Sequence, residues 1–156
     1  MQPMSREAFI EIVSTGIAAP PKYFFTDVML NHVGYEDEEK WGMNVKPVSL
    51  NSCKAEMEAG TTMLDTRTPA DFAKGHIPGA VNIGLDGQYA IWAGNLFENI
   101  PFLVVCDKGK EKESITRLAR IGYDKVKGYL DGGIKAWKEA GFPIEEVEMM
   151  TADDLI

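Results

Sequence analysis

The chain has 156 residues, 45% apolar and 26% charged, enough for one domain with a real core plus some extension. Sixteen Lys and Arg against 24 Asp and Glu leave a net charge of −8 and a pI of about 4.8, which argues against broad attraction to nucleic acid or acidic lipid. No apolar run approaches the roughly 20 residues of a membrane span, and the opening MQPMSREAF lacks the basic and apolar regions of a signal peptide.

Residues 1–47 and 48–147 read differently. SREAFIEIVSTG predicts a short amphipathic helix with Ser5 as N-cap, Phe9, Ile12 and Val13 as the apolar stripe and Gly16 as the stop. The stretch after it holds a double proline and the aromatics Tyr23, Phe24 and Phe25, then the charged connector EDEEKWGMN. So many aromatics in a segment of little regular structure predict an arm docked on another surface, or one that drives self-association if left exposed.

From residue 48 strands and helices alternate. CKAEMEAG predicts a helix, TTMLDTR a buried strand, PADFAKG a helix with Pro69 at its first position, and HIPGAVNIG a turn and short strand. DGQYAIWAGNLF predicts a helix, PFLVVC a buried strand, KEKESITRLARIG an amphipathic helix, KVKGYL a strand and GGIKAWKEAG a helix. Short loops between such elements predict an α/β fold, a mostly parallel sheet with helices on both faces. Trp92 and Trp137 are expected as core anchors, and Cys53 as a packing or surface cysteine. The final MMTADDLI, within residues 148–156, predicts the start of a further helix or domain.

Cys53 and Cys106 allow at most one disulfide, and reduced thiols in the cytoplasm are the default. His32 and His76 stand far apart with no ligand cluster near them, so neither a metal nor a cofactor is expected.

The stretches MLDTRTPADFAKGHIPGAVNI and GYLDGGIKAWKEAGFPI resemble the two signatures of rhodanese-like domains, and PFLVVCDKGKEKES falls where that family carries its catalytic loop. The resemblance implies a rhodanese-like fold over residues 48–147 and a place in sulfane-sulfur or persulfide chemistry. It makes Cys106 the candidate nucleophile, which would carry a persulfide from a thiosulfate or persulfide donor to a thiophilic acceptor. The loop residues Asp107, Lys108, Gly109, Lys110 and Glu111, with Arg67, are then the candidate substrate-facing set. Asp65, Arg67 and His76 have structural explanations as well, as loop braces and a turn donor. The arm SREAFIEIVSTGIAAPPKYF with NHVGY resembles the tail of metallo-β-lactamase-fold hydrolases related to persulfide dioxygenases and glyoxalase II. That implies a fragment of a fusion protein whose partners are a neighbouring hydrolase and a second rhodanese domain.

For Cys106 two readings compete. A thiolate at neutral pH needs loop N–H groups, a helix N-terminus or nearby lysines such as Lys108, Lys110 and Lys112 to lower the thiol pKa. Against that, Asp107, Glu111 and Glu113 raise it and repel an anionic donor. The loop also appears about a residue shorter than the active loops of the family. The sequence therefore favours a degenerate, non-catalytic interaction or regulatory module over an active sulfurtransferase. A phosphatase reading, from the dual-specificity phosphatases that share this fold, is weak. The sixth residue after the cysteine is Lys112 and not an arginine that could fork on phosphate.

Overall fold

A computed structural model describes residues 4–17, 19–20, 24–34 and 45–150. In chain order the elements are α1 (Arg6–Ser14), α2 (Phe24–Val33), β1 (Pro47–Val48), α3 (Leu50–Glu58), β2 (Thr62–Asp65), α4 (Pro69–Ala73), β3 (Val81–Asn82), α5 (Tyr89–Leu96), β4 (Phe102–Val105), α6 (Glu111–Ala119), β5 (Val126–Leu130) and α7 (Gly133–Glu139). Five parallel strands form one sheet in the order β1-β5-β4-β2-β3.

The central strand β4 is buried at all four positions, which its unbroken apolar sequence Phe102-Leu103-Val104-Val105 requires of a strand covered on both faces. Alternate side chains go to alternate faces. Phe102 and Val104 join Tyr89 and Ala93 of α5 and Ile115 and Leu118 of α6 in one core. Leu103 and Val105 join Cys53 of α3 and Trp137 of α7 in the other. The two cysteines are thus free and assigned to opposite sides of the sheet.

Local signals start the helices where they were expected. Ser5 caps α1 by accepting from the Ala8 N–H at 3.2 Å, and Thr68 caps α4 from the Asp71 N–H at 3.1 Å, with Pro69 following. Helix α3 begins earlier than its sequence pattern indicated, because Ser49 accepts from the Ser52 N–H. The two-residue strand β1 was not expected at all; it pairs with Tyr129 and Leu130 of β5.

One expectation needs correction. Trp92 is not a core anchor: it is 56% exposed, whereas Trp137 is buried and donates its Nε1–H to Pro143 O at 2.8 Å. Within the described residues of the arm, α1 has no buried residue and leaves Phe9, Ile12 and Val13 exposed. Phe24 and Phe25 are exposed too, in edge-on contact at 5.7 Å. Tyr23, the connector 35–44 and residues 151–156 lie outside the described residues.

Gly128 fixes how close β1 can come to β5. Its φ is +141°, and a Cβ there would stand 2.5 Å from Lys46 O and 2.6 Å from Val48 Cγ2. Gly128→Ala should therefore destabilise the domain by about 2 kcal/mol or more. A urea midpoint equal to that of the wild type would show that β1 is not held this closely.

Candidate functional site

The chain runs outward from β2 to β3, returns to β4, and then proceeds the other way to β5, so the topology switches between β2 and β4. In open parallel sheets the crevice at the C-terminal strand ends beside such a switch is where ligands bind. Asp65 ends β2 and Val105 ends β4 in register with it, and Cys106 follows immediately. The cysteine loop Cys106–Lys110 leads into α6, which starts without a side-chain cap and carries Glu111 and Glu113 in its first turn.

Asp65 and Arg67 form a buried fork. The Arg67 Nε–H donates to both Asp65 oxygens at 2.9 and 3.0 Å and Nη2 donates to Oδ2 at 2.5 Å, while Nη2 also reaches Gly75 O at 3.0 Å. With 6% of its surface exposed, Arg67 is bound into the scaffold by these bonds. His76 stacks on Phe72 at 3.8 Å, its Nδ1 lies 3.1 Å from Phe72 O, and its backbone bridges to Glu145. It holds the C-terminal segment through Glu145.

Cys106 is 8% exposed and packs with Leu64, Val104 and Ile115. Burial is the main cause that pushes its thiol up to about 12, with Glu111, Asp107 and Asp65 adding in the same direction and a hydrogen bond with Ser114 opposing them. Asp107, Lys108, Gly109 and Lys110 are exposed. Lys110 is held by Glu113 at 2.8 Å, so its charge is largely answered before it reaches the sulfur. The Glu111 carboxylate turns back on the loop and accepts the Gly109 N–H at 3.0 Å, and the Lys110 N–H donates to Asp107 O at 3.0 Å. The N-terminus of α7 closes over the other side: a Cβ on Gly133, whose φ is +59°, would sit 3.4 Å from Cys106 O.

Sequence reasoning missed the groups behind the loop. Thr66, Tyr89 and Ser114 are buried, and they converge on the end of β4: Thr66 Oγ1 lies 3.1 Å from Ser114 Oγ, and the Tyr89 hydroxyl donates to Ser114 O at 3.2 Å. Arg117 of α6 donates to Leu85 O and Gly87 O and lies over the Tyr89 ring, tying α6 to the loop after β3. Beside these, a pocket of about 450 Å³ is lined by Thr66, Asn82, Trp92, Leu96, Asp107 and Lys110, among others. Among the described residues no cluster of three or more His, Cys, Asp or Glu side chains is placed to hold a metal, and no helix is long and apolar enough to cross a membrane.

A cysteine at the switch point of a five-stranded parallel sheet, followed by a short turn into a helix, defines the rhodanese-type loop architecture. The family profile described as the rhodanese-like domain matches residues 49–140, and the chain belongs to that family. YrkF of Bacillus subtilis (strain 168), named as a candidate sulfur carrier protein, is 28% identical over 102 residues, which are 64% of this chain. The match spans 55% of that protein, about half its length. The solution structure of the rhodanese-like domain of the Anabaena sp. Alr3790 protein superposes with a TM-score of 0.58 at 26% identity, over 69% of this chain and 87% of that one. A metallo-beta-lactamase crystal structure from Staphylococcus aureus subsp. aureus COL shares the fold over 79% of this chain and 33% of that one, with a TM-score of 0.60 at 22% identity.

Arg67→Ala would leave the Asp65 carboxylate buried without its partner, and should cost about 3–5 kcal/mol in urea unfolding. A loss below about 1 kcal/mol would mean that water reaches Asp65 and that the fork is not a brace.

Burial also raises the Cys53 thiol to about 11, so both thiols ionise later in the folded chain than in the unfolded one. Their contribution to stability is complete below the ordinary thiol value of 9.0, and is lost as pH rises through about 11 and about 12. Urea midpoints should fall across that alkaline window, and the fall should shrink in Cys53→Ser with Cys106→Ser. An equal fall in the double variant would assign it to other groups.

Proposed function

We propose that this chain is a rhodanese-like module of a sulfane-sulfur- or persulfide-handling protein, in which the domain organises its neighbours and does not itself turn over a sulfur donor. The observation that carries this reading is the seat of Glu111. Its carboxylate takes the Gly109 N–H, in the loop whose N–H groups would otherwise receive an anion bound to or through sulfur. The sulfur itself is packed into the core as a thiol, and Asp107 and Asp65 add to the charge that an anion such as thiosulfate would meet.

In this reading the arm 1–47 is the tail of a metallo-β-lactamase-fold hydrolase, and residues 148–156 lead towards a further domain. The likeness to the Staphylococcus aureus structure supports it, because it covers more of this chain than the family match at 49–140. The exposed Phe9, Ile12, Val13, Phe24 and Phe25 support it too, since they need an apolar surface that this domain does not supply. Separated from such a neighbour, the same side chains favour self-association. The free thiols on opposite sheet faces fit a reduced, cytoplasmic setting, and the net charge of −8 fits the absence of nucleic-acid or membrane partners.

A second reading, a sulfur carrier with Cys106 holding the persulfide, draws on the likeness to YrkF and on the place of Cys106 at the switch point. Intact-mass measurement after treatment with thiosulfate, and separately with glutathione persulfide, distinguishes the two. The module reading expects no reducible gain of sulfur on the folded wild type with either donor. A gain of one sulfur that disappears in Cys106→Ser would establish the carrier instead.

A further inference from the structure

Trp92 and Leu96 stand one helical turn apart on α5, 56% and 59% exposed, and neither belongs to a core cluster. Both line the pocket of about 450 Å³ beside the loop after β3, a volume within the range of small-ligand sites. Two exposed carboxylates line it as well, Asp86 from that loop and Asp107 from the cysteine loop. Cys106 is not part of the lining, so the pocket is a feature separate from the sulfur. An exposed indole beside two carboxylates has no part in the core and suits a bound cation.

The hydrogen-bonding state of the wall narrows the choice further, because its donors are already spent. Asn82 gives both protons of Nδ2 away, to Asp65 O at 2.9 Å and Arg67 O at 3.0 Å. Both partners are carbonyl oxygens, so the amide has one orientation and Oδ1 is the polar atom left over. Thr68 donates to Asp71 Oδ2 at 2.7 Å, and the backbone N–H groups of Ile83 and Leu85 go to Asp65 O and Thr66 O. Lys110 is the cation on the wall, and its ammonium is held by Glu113 at 2.8 Å. Gln88 can turn either end of its amide inward and so favours neither kind of ligand. What the wall offers is two carboxylates, an amide oxygen and an apolar face of indole and Leu96.

A flat cation rich in N–H groups answers all of these at once. A guanidinium lays its plane on an indole and sends a fork of N–H donors to a carboxylate, whereas an ammonium is a point charge with no plane. An anion such as thiosulfate meets two like charges there. We propose that this pocket receives an arginine side chain from a neighbouring polypeptide, stacked on Trp92 and paired with Asp86 and Asp107. The net charge of −8 favours a basic partner in the same sense. The site rests on the module reading above, in which the domain engages its neighbours, and it supplies the chemistry of one such contact.

The experiment is an NMR titration of the ¹⁵N-labelled full chain with a capped glycine–arginine pentapeptide, following the Trp92 indole N–H signal assigned by Trp92→Phe. The same peptide carrying citrulline, which keeps the shape and loses the charge, and one carrying lysine are the comparisons. The arginine peptide should shift the signal saturably, and the citrulline peptide should bind at least roughly ten-fold more weakly. Asp86→Asn and Asp107→Asn, both at exposed positions, should each weaken the arginine peptide roughly three- to five-fold. Lys110→Ala should tighten it, because a competing cation leaves and Glu113 is released. Glu139→Gln on α7, which packs on the other face of the sheet, should leave binding unchanged. Equal binding of the citrulline or lysine peptide overturns the arginine site, and so does a loss in Glu139→Gln as large as that in Asp107→Asn. The two readings fail separately: sulfur loading by thiosulfate overturns the module, whereas a silent Trp92 signal overturns the arginine site alone.

Discussion

The fork of Arg67 on Asp65 is the constraint on which the rest of this site depends. It is a charge pair with almost no water around it, so each partner is costly without the other. The fork fixes the backbone on both sides of Thr66, since the Arg67 N–H also bonds Asp65 Oδ1 at 3.0 Å. Asn82 of β3 reinforces the same corner by donating to Asp65 O and Arg67 O, while Arg67 Nη2 also donates to Gly75 O and the remaining arm, Nη1, reaches Asp71 O. Thr66 therefore has a fixed direction, and that direction is towards Val105 O and Ser114. The Asp65–Arg67 pair thus sets the direction of Thr66 at the end of β4.

Around the sulfur, competing terms can be ranked. Lysines 108, 110 and 112 are exposed, where charge is screened and worth little. Glu111 sits closer to the loop backbone and directly occupies one of its donors. Desolvation outweighs both, because the thiol is inserted into the apolar cluster of β4, α5 and α6. Ser114 is the one neighbour that acts against this trend. A chemistry that needs a thiolate has here a scaffold of the right topology, with its local electrostatics set against it.

The parts of the fold that were legible in the sequence are those whose burial imposes a pattern. Strand β4 is apolar throughout because both its faces are covered, and α6 shows a stripe of Ile115 and Leu118 because only one of its faces is. Strand β1 has two residues, one of them a proline, and so carries no periodicity to read. Trp92 was misplaced because α5 is apolar nearly all round: Tyr89 and Ala93 face the core, while Ile91, Trp92 and Leu96 of the same helix are exposed. Composition alone could not say which face the sheet would take. Cys106 and its turn were visible as local punctuation. The Thr66–Ser114 contact behind them was not, because the two residues are 48 apart and only the β2–β4 register brings them together.

That register also explains why the loop and the brace act as one unit. Asp65 pairs with Val105, so the residue after each, Thr66 and Cys106, leaves the sheet at the same level. The Thr66 N–H continues the ladder by one bond to Val105 O, which extends the rigidity of the sheet one residue beyond its formal end. Gly133, at a φ of +59° that favours glycine, brings the start of α7 beside Cys106 O from the β5 side. Cys106 consequently packs in the core cluster of Leu64, Val104 and Ile115, with the start of α7 beside its backbone oxygen.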